Sequence, residues 1–425
     1  PTLLTNHADL EEQLERLEVH YLANPEGHLH FALLTDWPDA PCERMPGDEE
    51  LVAALADGID RLNTRYEDPP EGGKRFLLLH RRRLWNEQEG KWIGWERKRG
   101  KLRELNRLLR GVTDTTFIPI RGMPPAVPER VRYVITLDAD TRLPKGTAYR
   151  LVGAMAHPLN RPRFDPRKGR VVEGYAVMQP RITPSLPTGP GSTIYQRIVS
   201  GRGGVDPYAA AVSDVYQDLF EEGSYTGKGI YDVDTFEAAL EGKVPENALL
   251  SHDLFEGLFA RAGLVTDVDL FEEFPSHYEV AARRQHRWVR GDWQLLPWVL
   301  GHGRAAAGRK PRTRIPAQGR WKMVDNLRRS LVAPSSFLLA VAAWTLPSTS
   351  ALLWTSVFVG AVAVPAFIPV LDGLIPWRRG ISKRSHLRAV ADDIFVALSQ
   401  TLLAITMLAY QAWLMADAVV RTLGR

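Results

Sequence analysis

The sequence contains very little cysteine and no large excess of charge of one sign. Its single cysteine, Cys42, excludes a disulfide within the chain and a zinc site built from cysteines, which fits a reducing compartment. The formal charge of +4 is small for 425 residues, and the basic clusters are interleaved with acidic residues and accompanied by no nucleic-acid-binding motif. No internal repeat occurs at solenoid periods. We therefore expect a globular protein without a nucleic-acid partner.

The composition turns apolar from Leu331 onward, and the N-terminus shows no basic and apolar signal segment. Apolar runs cover about 331–346, 350–371 and 394–416. They predict two or three helices that cross a membrane or lie in its interface. Buried core helices of a large soluble domain are the alternative, because apolar runs of about 10 to 14 residues also occur there.

Basic residues flank these apolar runs. The segment 377–388 is strongly positive, and Lys322, Arg328 and Arg329 precede the first run. Because positively charged loops stay on the cytoplasmic side, this pattern predicts that the soluble part faces the cytosol. We divide the chain into three predicted parts, namely a cytosolic domain at 1–304, a basic linker or interfacial segment at 305–330, and a membrane region with two or three helices at 331–425.

Strands and amphipathic helices alternate in the first two thirds of the chain. The strands are predicted at short apolar runs, 30–35, 75–80 and 132–137. Helical periodicity occurs near 10–22, 51–62 and 102–109. This alternation predicts an α/β fold with a mainly parallel sheet flanked by helices. Ligands of such sheets bind at the carboxyl ends of strands, where Asp36 and Asp138 both lie.

Two carboxylates follow the third predicted strand directly, in the sequence Leu137-Asp138-Ala139-Asp140. Residues two apart on an extended chain point to the same side, so Asp138 and Asp140 could share one Mg²⁺ or Mn²⁺ ion and, through it, hold a diphosphate. Asp-x-Asp pairs also occur in Asx turns and loop caps. The position after a buried strand favours the metal site, and the turn stays open as an alternative.

Asp253 stands at the start of a helical pattern, in Ser251-His252-Asp253. An Asp or Ser here can cap the helix by accepting hydrogen bonds from free backbone N–H groups. Asp253 could also be the general base that removes a proton from an acceptor hydroxyl. One carboxylate can serve both purposes, so the residues leave both interpretations open.

A basic and aromatic segment covers 283–293. Trp288 offers a flat apolar face for a sugar ring, and Arg284 and Arg287 supply planar donors for hydroxyl or diphosphate oxygens. A helix of this composition could equally lie on a membrane surface or contact nucleic acid. Taken alone, the segment favours the membrane-surface interpretation.

Together these motifs resemble a known family. An Asp-x-Asp pair, a later lone Asp and a (Gln/Arg)-x-x-Arg-Trp segment before membrane helices are typical of processive, inverting membrane glycosyltransferases. The longer sequence segments around these motifs resemble the transferase domain of the cyclic β-1,2-glucan synthase family. They are LDADTRLP, YQDLFEEGSYTGKGIYDVDTF, SHDLFEG, RRQHRWVRGDWQLLPW and DNLRRSLVAP. The resemblance extends from about Pro1 to the last apolar run. It implies a GT-A-like (Rossmann-like) fold and transfer of glucose from UDP-glucose to the non-reducing end of a growing glucan, with inversion.

The resemblance also implies roles for individual residues. Asp138 and Asp140 correspond to the metal and nucleotide-sugar motif, and Asp253 corresponds to the catalytic base. Asp36 is similar to a uridine-contacting Asp, and Lys101 to a basic residue that meets the nucleotide. The other implied positions are the nucleotide-sugar residues Arg284 and Arg287 and the acceptor residues Trp288, Gly227, Lys228 and Gly229. For the glycine turn, a plain turn remains an equal alternative.

A primer and a larger protein belong to the same implication. The family grows its glucan on a protein-bound primer, for which Tyr208 is a candidate beside Tyr216, Tyr225 and Tyr231. Full enzymes of the family carry a phosphorylase-like region, of which this sequence shows no trace. The implied partners are UDP-glucose, the glucan, membrane lipid and the rest of a larger synthase chain. The implied location is the bacterial inner membrane, with the catalytic domain facing the cytosol.

Two other functions fit the same motifs. The motifs indicate transfer from a nucleotide sugar and leave the linkage open, so a membrane synthase of a β-1,4 or β-1,3 glucan is one alternative. The other is a non-catalytic membrane scaffold that retains the fold. Loss of activity on substitution of Asp138, Asp253 or Trp288 would distinguish an enzyme from such a scaffold.

Overall fold

The computed structural model describes most of the chain. The described residues are 2–424 without 26, 71, 88, 186–192, 200–213, 244–245, 247–248, 251, 302–314, 347–349 and 376–381. Two β-sheets with flanking helices form the first part, and three long helices form the last. The predicted α/β class with C-terminal apolar helices is therefore confirmed.

The first sheet has three parallel strands. They are β1 (Thr2–Leu3), β2 (Phe31–Asp36) and β3 (Phe76–Arg81), adjacent in that order. Helices α1 (His7–Ala23) and α2 (Asp48–Arg65) connect them. Leu10, Leu14 and Leu17 recur at helical spacing in α1 and pack into one core with Phe31 and Phe76. Two parallel crossovers result, and the strand β2 ends at Asp36 as predicted.

A hairpin and a third helix follow the first sheet. The hairpin consists of β4 (Leu84–Asn86) and β5 (Lys91–Ile93), and the helix is α3 (Arg97–Leu108). A Cβ atom at Gly100 would lie 2.0 Å from the carbonyl oxygen of Trp95, so glycine is needed where α3 passes the preceding loop. This approach places the first turn of α3, with Lys98 and Lys101, beside the strand ends.

The second sheet has five strands in the order β6-β11-β10-β12-β7. Their bounds are β6 (Tyr133–Thr136), β7 (Thr141–Arg142), β10 (Val177–Pro184), β11 (Gly229–Asp232) and β12 (Ala262–Glu272). Only β10 and β12 are parallel neighbours, so the mainly parallel arrangement holds in the first sheet and this one is mixed. Strand β7 follows β6 after residues 137–140, lies at the opposite edge of the sheet and pairs antiparallel with β12.

Short helices and a second hairpin surround this sheet. The hairpin is β8 (Arg163–Asp165) and β9 (Arg170–Glu173), after a 3₁₀ turn at Pro158–Asn160. The helices are α4 (Thr147–Ala156), α5 (Ile194–Val199), α6 (Val215–Phe220), α7 (Val233–Leu240), α8 (Asp253–Ala260), α9 (Tyr278–Gln294) and α10 (Leu296–Val299). The core beneath them contains Tyr231, Phe255, Phe259 and Trp298. This core supports α8, which begins at the predicted site residue Asp253.

Three helices complete the chain: α11 (Ala317–Thr345), α12 (Ala351–Gly373) and α13 (Lys383–Leu423). Two are long and apolar enough to cross a membrane by length and composition, with mean hydropathies of 2.1 for Ala351–Leu371 and 1.6 for Lys383–Leu423. Helix α11 continues through position 330, and residues 302–314 lie outside the described part. The boundary between linker and membrane region thus stays a prediction.

Helix α13 also contacts the helix that carries the Arg-x-x-Arg-Trp motif. Val289 of α9 packs with Met415 and Ala418 of α13. His286 Nε2 lies 2.9 Å from Asp417 Oδ2. One side of α9 is therefore covered by an apolar C-terminal helix, which leaves its other side for the cavity described next.

Candidate active site

One cavity of about 750 Å³ brings together most of the residues that the sequence motifs indicate. Its walls come from the strand ends of both sheets, the first turn of α3, the start of α8, and helices α9 and α11. The predicted site residues that line it are Asp36, Lys101, Asp138, Asp140, Lys228, Asp253, Arg284, Arg287 and Trp288. Residues up to 252 positions apart in the chain (36 and 288) thus share one chamber.

Asp36 is buried in a cluster of ion pairs. Arg81 donates from Nε to Oδ1 at 2.7 Å and from Nη2 to Oδ2 at 3.0 Å, and Lys101 Nζ lies 3.0 Å from Oδ2. Burial opposes ionisation of Asp36, but the two cations outweigh it and lower the pKa of its carboxyl. Burial lowers the pKa of Lys101 to about 8. The structure pairs these two candidates with each other, and their contact with a nucleotide stays a prediction.

Asp138 lies directly after β6 and is held by two lysines. Lys98 Nζ donates to its Oδ1 at 2.5 Å and to the carbonyl of Gly227 at 2.7 Å, while Lys228 Nζ lies 3.2 Å from its Oδ2. Burial alone would raise the pKa of Asp138, but Lys98 and Lys228 hold it well below its usual range. Lys98 was not among the predicted residues, although the same basic cluster contains Lys101.

Glu272 was also missed from the sequence, and it connects several predicted residues. Lys228 Nζ donates to Glu272 Oε2 at 2.9 Å, and Arg284 Nη2 donates to Oε1 of the same carboxylate. Arg284 Nη1 lies 3.6 Å from Asp140 Oδ2. Glu272 is the last residue of β12, and the rule that ligand sites lie at strand ends could have indicated it.

The carboxylates of Asp138 and Asp140 fit the oxygen-ligand preference of Mg²⁺ or Mn²⁺. Burial first, and then the negative charges of Glu272 and Asp138, raise the pKa of Asp140. A bound cation would relieve the repulsion among these carboxylates. A cation would share Asp138 with Lys98 and Lys228. Within the described residues, His252, Asp253 and Glu256 also bring one potential ligand atom each to within 4.8 Å of one another.

Asp253 is the first residue of α8, and His252 occupies the N-cap position. Burial raises the pKa of the Asp253 carboxyl, against the effects of His252 and Lys98. His252 Nδ1 lies 3.0 Å from Glu256 Oε1, one turn further along the helix. Asp253 therefore lies at the start of a helix, as predicted, and it lines the cavity.

The turn Gly227-Lys228-Gly229 organises the carboxylates. A Cβ atom at Gly227, whose φ is +85°, would lie 2.7 Å from Asp253 Oδ1. At Gly229, with φ of +141°, a Cβ atom would lie 2.1 Å from the carbonyl oxygen of Met178 in β10. Both glycines thus allow close packing that a larger residue would disturb. A direct acceptor contact by this turn stays a prediction.

Helix α9 presents its basic and aromatic residues to the cavity. The Arg284 guanidinium carbon lies 4.7 Å from the centre of the Trp288 ring, a distance typical of a cation–π contact. Arg287 lines the same cavity and remains exposed to it. The alternative of a membrane-surface helix does not describe this face, because these three side chains line the chamber of Asp253.

Comparison with known proteins gives one strong sequence relationship. The chain is 49% identical to cyclic β-(1,2)-glucan synthase NdvB of Rhizobium meliloti (strain 1021) over 426 aligned residues, which cover the whole chain. Over its whole length the chain is therefore similar to a segment of a cyclic β-1,2-glucan synthase, and the resemblance stated from the motifs is confirmed. The chain spans 14% of that relative's length and matches no protein-family model.

A solved structure resembles the chain more distantly. It is the mannosyltransferase PcManGT from Pyrobaculum calidifontis in complex with GDP-Man and Mn²⁺. The two share 13% sequence identity and a TM-score of 0.42, over 99% of this chain and 85% of that one.

The structure does not test the prediction of a primer tyrosine. Tyr208 lies outside the described residues. Tyr225 and Tyr231 are 3% and 0% exposed and belong to the hydrophobic core. The ring of Tyr216 lies 4.6 Å below the Lys322 ammonium. For Tyr225 and Tyr231, burial favours a packing role over that of an acceptor, and Tyr208 stays a prediction.

Proposed function

We propose that this chain transfers glucose from UDP-glucose to the non-reducing end of a growing glucan, with inversion, and forms β-1,2 links. The observation that carries the proposal is the common cavity of Asp138, Asp253 and Trp288. A nucleotide-sugar transferase needs an anchor for a diphosphate, a base for the acceptor hydroxyl and a surface for a sugar ring. We assign the first role to Asp138, acting through a divalent cation, the second to Asp253 and the third to Trp288.

The proposed reaction is a single displacement. Asp253 removes the proton from the O2 hydroxyl of the terminal glucose, and that oxygen attacks the anomeric carbon of the donor. As the new bond forms, the bond between the anomeric carbon and the diphosphate oxygen breaks. An α-linked donor thereby becomes a β link. The raised pKa of Asp253, caused first by burial, makes its carboxylate a stronger base than an exposed aspartate.

The leaving UDP carries negative charge that the site must stabilise. Arg284 and Arg287 are placed on the face of α9 that lines the cavity, and we assign the diphosphate to them. Asp138 and Asp140 would hold a Mg²⁺ or Mn²⁺ ion, which offsets charge on the diphosphate. Asp36 and Lys101, which pair with each other on the cavity wall, are assigned to the nucleotide.

The location follows from the same proposal. Helices α12 and α13 are long and apolar enough to anchor the chain in a membrane, and we assign this membrane to the bacterial inner membrane with the cavity on the cytosolic side. UDP-glucose is a cytosolic compound, so this orientation supplies the donor directly. The glucan, linked to protein, and the remainder of a larger synthase with a phosphorylase-like region would be the partners.

The test is incubation of membranes that contain the protein with labelled UDP-glucose and Mg²⁺ or Mn²⁺, followed by linkage analysis of the glucan. We expect 1,2-linked glucose, part of it attached to protein, and no product when the divalent cation is chelated. Product with 1,4 or 1,3 bonds alone would support a different glucan synthase. Absence of transfer under all conditions would support the non-catalytic scaffold and contradict the proposal.

A further inference from the structure

The cavity extends past the motif residues to a polar wall formed by α9 and α11. Asp292 of α9 and Lys322, Asn326 and Arg329 of α11 line this end. The three residues of α11 lie in the stretch predicted as a linker or interfacial segment. In the structure, these three residues form part of the wall of the chamber that contains Asp253.

Helix α11 is held firmly against the catalytic part. Lys322 is buried, and its Nζ donates to the carbonyl oxygens of Glu222 and Gly223 at 3.0 and 2.6 Å. A Cβ atom at Gly319 would lie 2.9 Å from a methyl carbon of Leu258 in α8. These contacts fix the rotation of the first turns of α11, and with it the direction of its polar side chains.

Lys322, Asn326 and Arg329 follow the spacing of one helix face, four and then three residues apart. Asn326 Nδ2 donates to Asp292 Oδ1 at 3.2 Å, and Arg329 Nη2 donates to Asn326 Oδ1 at 2.5 Å. A carboxylate, an amide and a guanidinium therefore form a connected row on the cavity wall. Together they offer both donors and acceptors, as hydroxyl groups require.

Helix α9 relates this row to the reaction centre. Arg284, Trp288 and Asp292 are spaced four residues apart and lie along one side of the helix. Arg284 contacts Glu272 and lies near Asp140, whereas Asp292 contacts α11. At 1.5 Å per residue, Arg284 and Asp292 are separated by about 12 Å along the axis. The row thus lies beyond the Trp288 indole, on the side away from the diphosphate residues.

We propose that Asp292, Asn326 and Arg329 form an acceptor subsite that binds the hydroxyl groups of the glucan behind its terminal residue. This inference rests on the proposed function and adds the residues that recognise the acceptor. The row of one carboxylate, one amide and one guanidinium has no net charge, and the ammonium of Lys322 beside it is engaged by two backbone carbonyl oxygens. Such a wall can bind the hydroxyl groups of a neutral polyhydroxylated chain. The contact of Asn326 with both neighbours makes it the central residue of the row.

The test measures glucosyl transfer by the full protein in membranes, with UDP-glucose and linear β-1,2-linked glucooligosaccharides of defined length. Asn326→Ala should raise the KM for the oligosaccharide about tenfold, which corresponds to about 1.4 kcal/mol, and leave the KM for UDP-glucose unchanged. Hydrolysis of UDP-glucose without acceptor should also be unchanged. Arg328→Ala is the matched control, because Arg328 is exposed on the same helix and does not line the cavity.

A second variant distinguishes loss of the acceptor subsite from misfolding. Asp292→Asn preserves size and should raise the oligosaccharide KM by a smaller factor than Asn326→Ala. An unchanged oligosaccharide KM in both variants would overturn the subsite while the proposed function stands. An equal rise in the KM for the oligosaccharide and the KM for UDP-glucose would show a general disturbance of the cavity. That result would also overturn the subsite. If the unaltered protein neither transfers nor hydrolyses UDP-glucose, the proposed function fails and the subsite with it.

Discussion

The two walls of the cavity differ in how their charges are arranged. The inner wall, at the strand ends, contains buried and paired groups, namely Asp36, Lys101, Lys228 and Glu272, and Asp36 also pairs with the buried Arg81. The helical wall, formed by α9 and α11, carries partly exposed groups such as Arg287, Trp288 and Asn326. A buried pair that loses one member leaves an uncompensated charge. The inner wall is therefore expected to govern stability and geometry, and the helical wall to govern contacts with substrate.

The largest effect is expected at Asp253, where the two walls meet. Asp253→Asn keeps the shape of the side chain and removes the base, so kcat for glucosyl transfer should fall by roughly 10²–10⁴-fold. UDP binding should be retained, since neither wall is altered. Asp234→Asn is the control, because this carboxylate also lies in a first helical turn but is 72% exposed. A loss of less than tenfold at Asp253 would contradict its role as base.

Glu272→Ala tests the inner wall. The substitution leaves Lys228 buried and deprives Arg284 of its partner, which should lower the free energy of unfolding by about 3–5 kcal/mol. The neighbouring Glu273 is 38% exposed and pairs with Arg142 and Arg16. Because these pairs are open to solvent on the Glu273 side, Glu273→Ala should cost no more than about 1 kcal/mol. Thermal unfolding of both variants in detergent gives the comparison. Equal destabilisation would show that burial does not distinguish the two glutamates.

Gly227→Ala tests the junction between the glycine turn and the base. The added methyl group would lie 2.7 Å from Asp253 Oδ1, so transfer should fall at least tenfold as the carboxylate is displaced. Gly122→Ala is a matched control, since Gly122 has a φ of +75° and no atom within 4 Å of the added Cβ. Both variants should lose roughly 1 kcal/mol of stability from the left-handed backbone, but only Gly227→Ala should slow transfer.

The smallest of these effects is expected on the helical wall. Trp288→Ala removes an aromatic surface and its contact with Arg284, worth roughly 1–2 kcal/mol, so the KM for a glucooligosaccharide should rise about tenfold with little change in stability. Trp321→Ala, at a tryptophan that is 65% exposed on α11 and outside the cavity, should leave it unchanged. A large loss of stability in Trp288→Ala would contradict the proposed difference between the two walls.

The sequence alone determined the local features of this protein. The strands that end at Asp36 and before Asp138, the helix that starts at Asp253 and the helix through Arg284 and Trp288 all lie where the apolar patterns and motifs predict them. The two long apolar helices were likewise evident from composition. These features depend on residues a few positions apart, because strand and helix periodicity and turn chemistry act over short stretches.

The tertiary structure alone decided which distant residues meet. Lys98 contacts Asp138, Glu272 joins Lys228 to Arg284, and the pairing of β11 makes the second sheet mixed. Asn326, in a stretch predicted as linker, lines the cavity because Lys322 and Gly319 hold α11 in place. A local pattern carries no information about a partner dozens of residues away, and the energy of a buried ion pair depends on that partner's distance and burial.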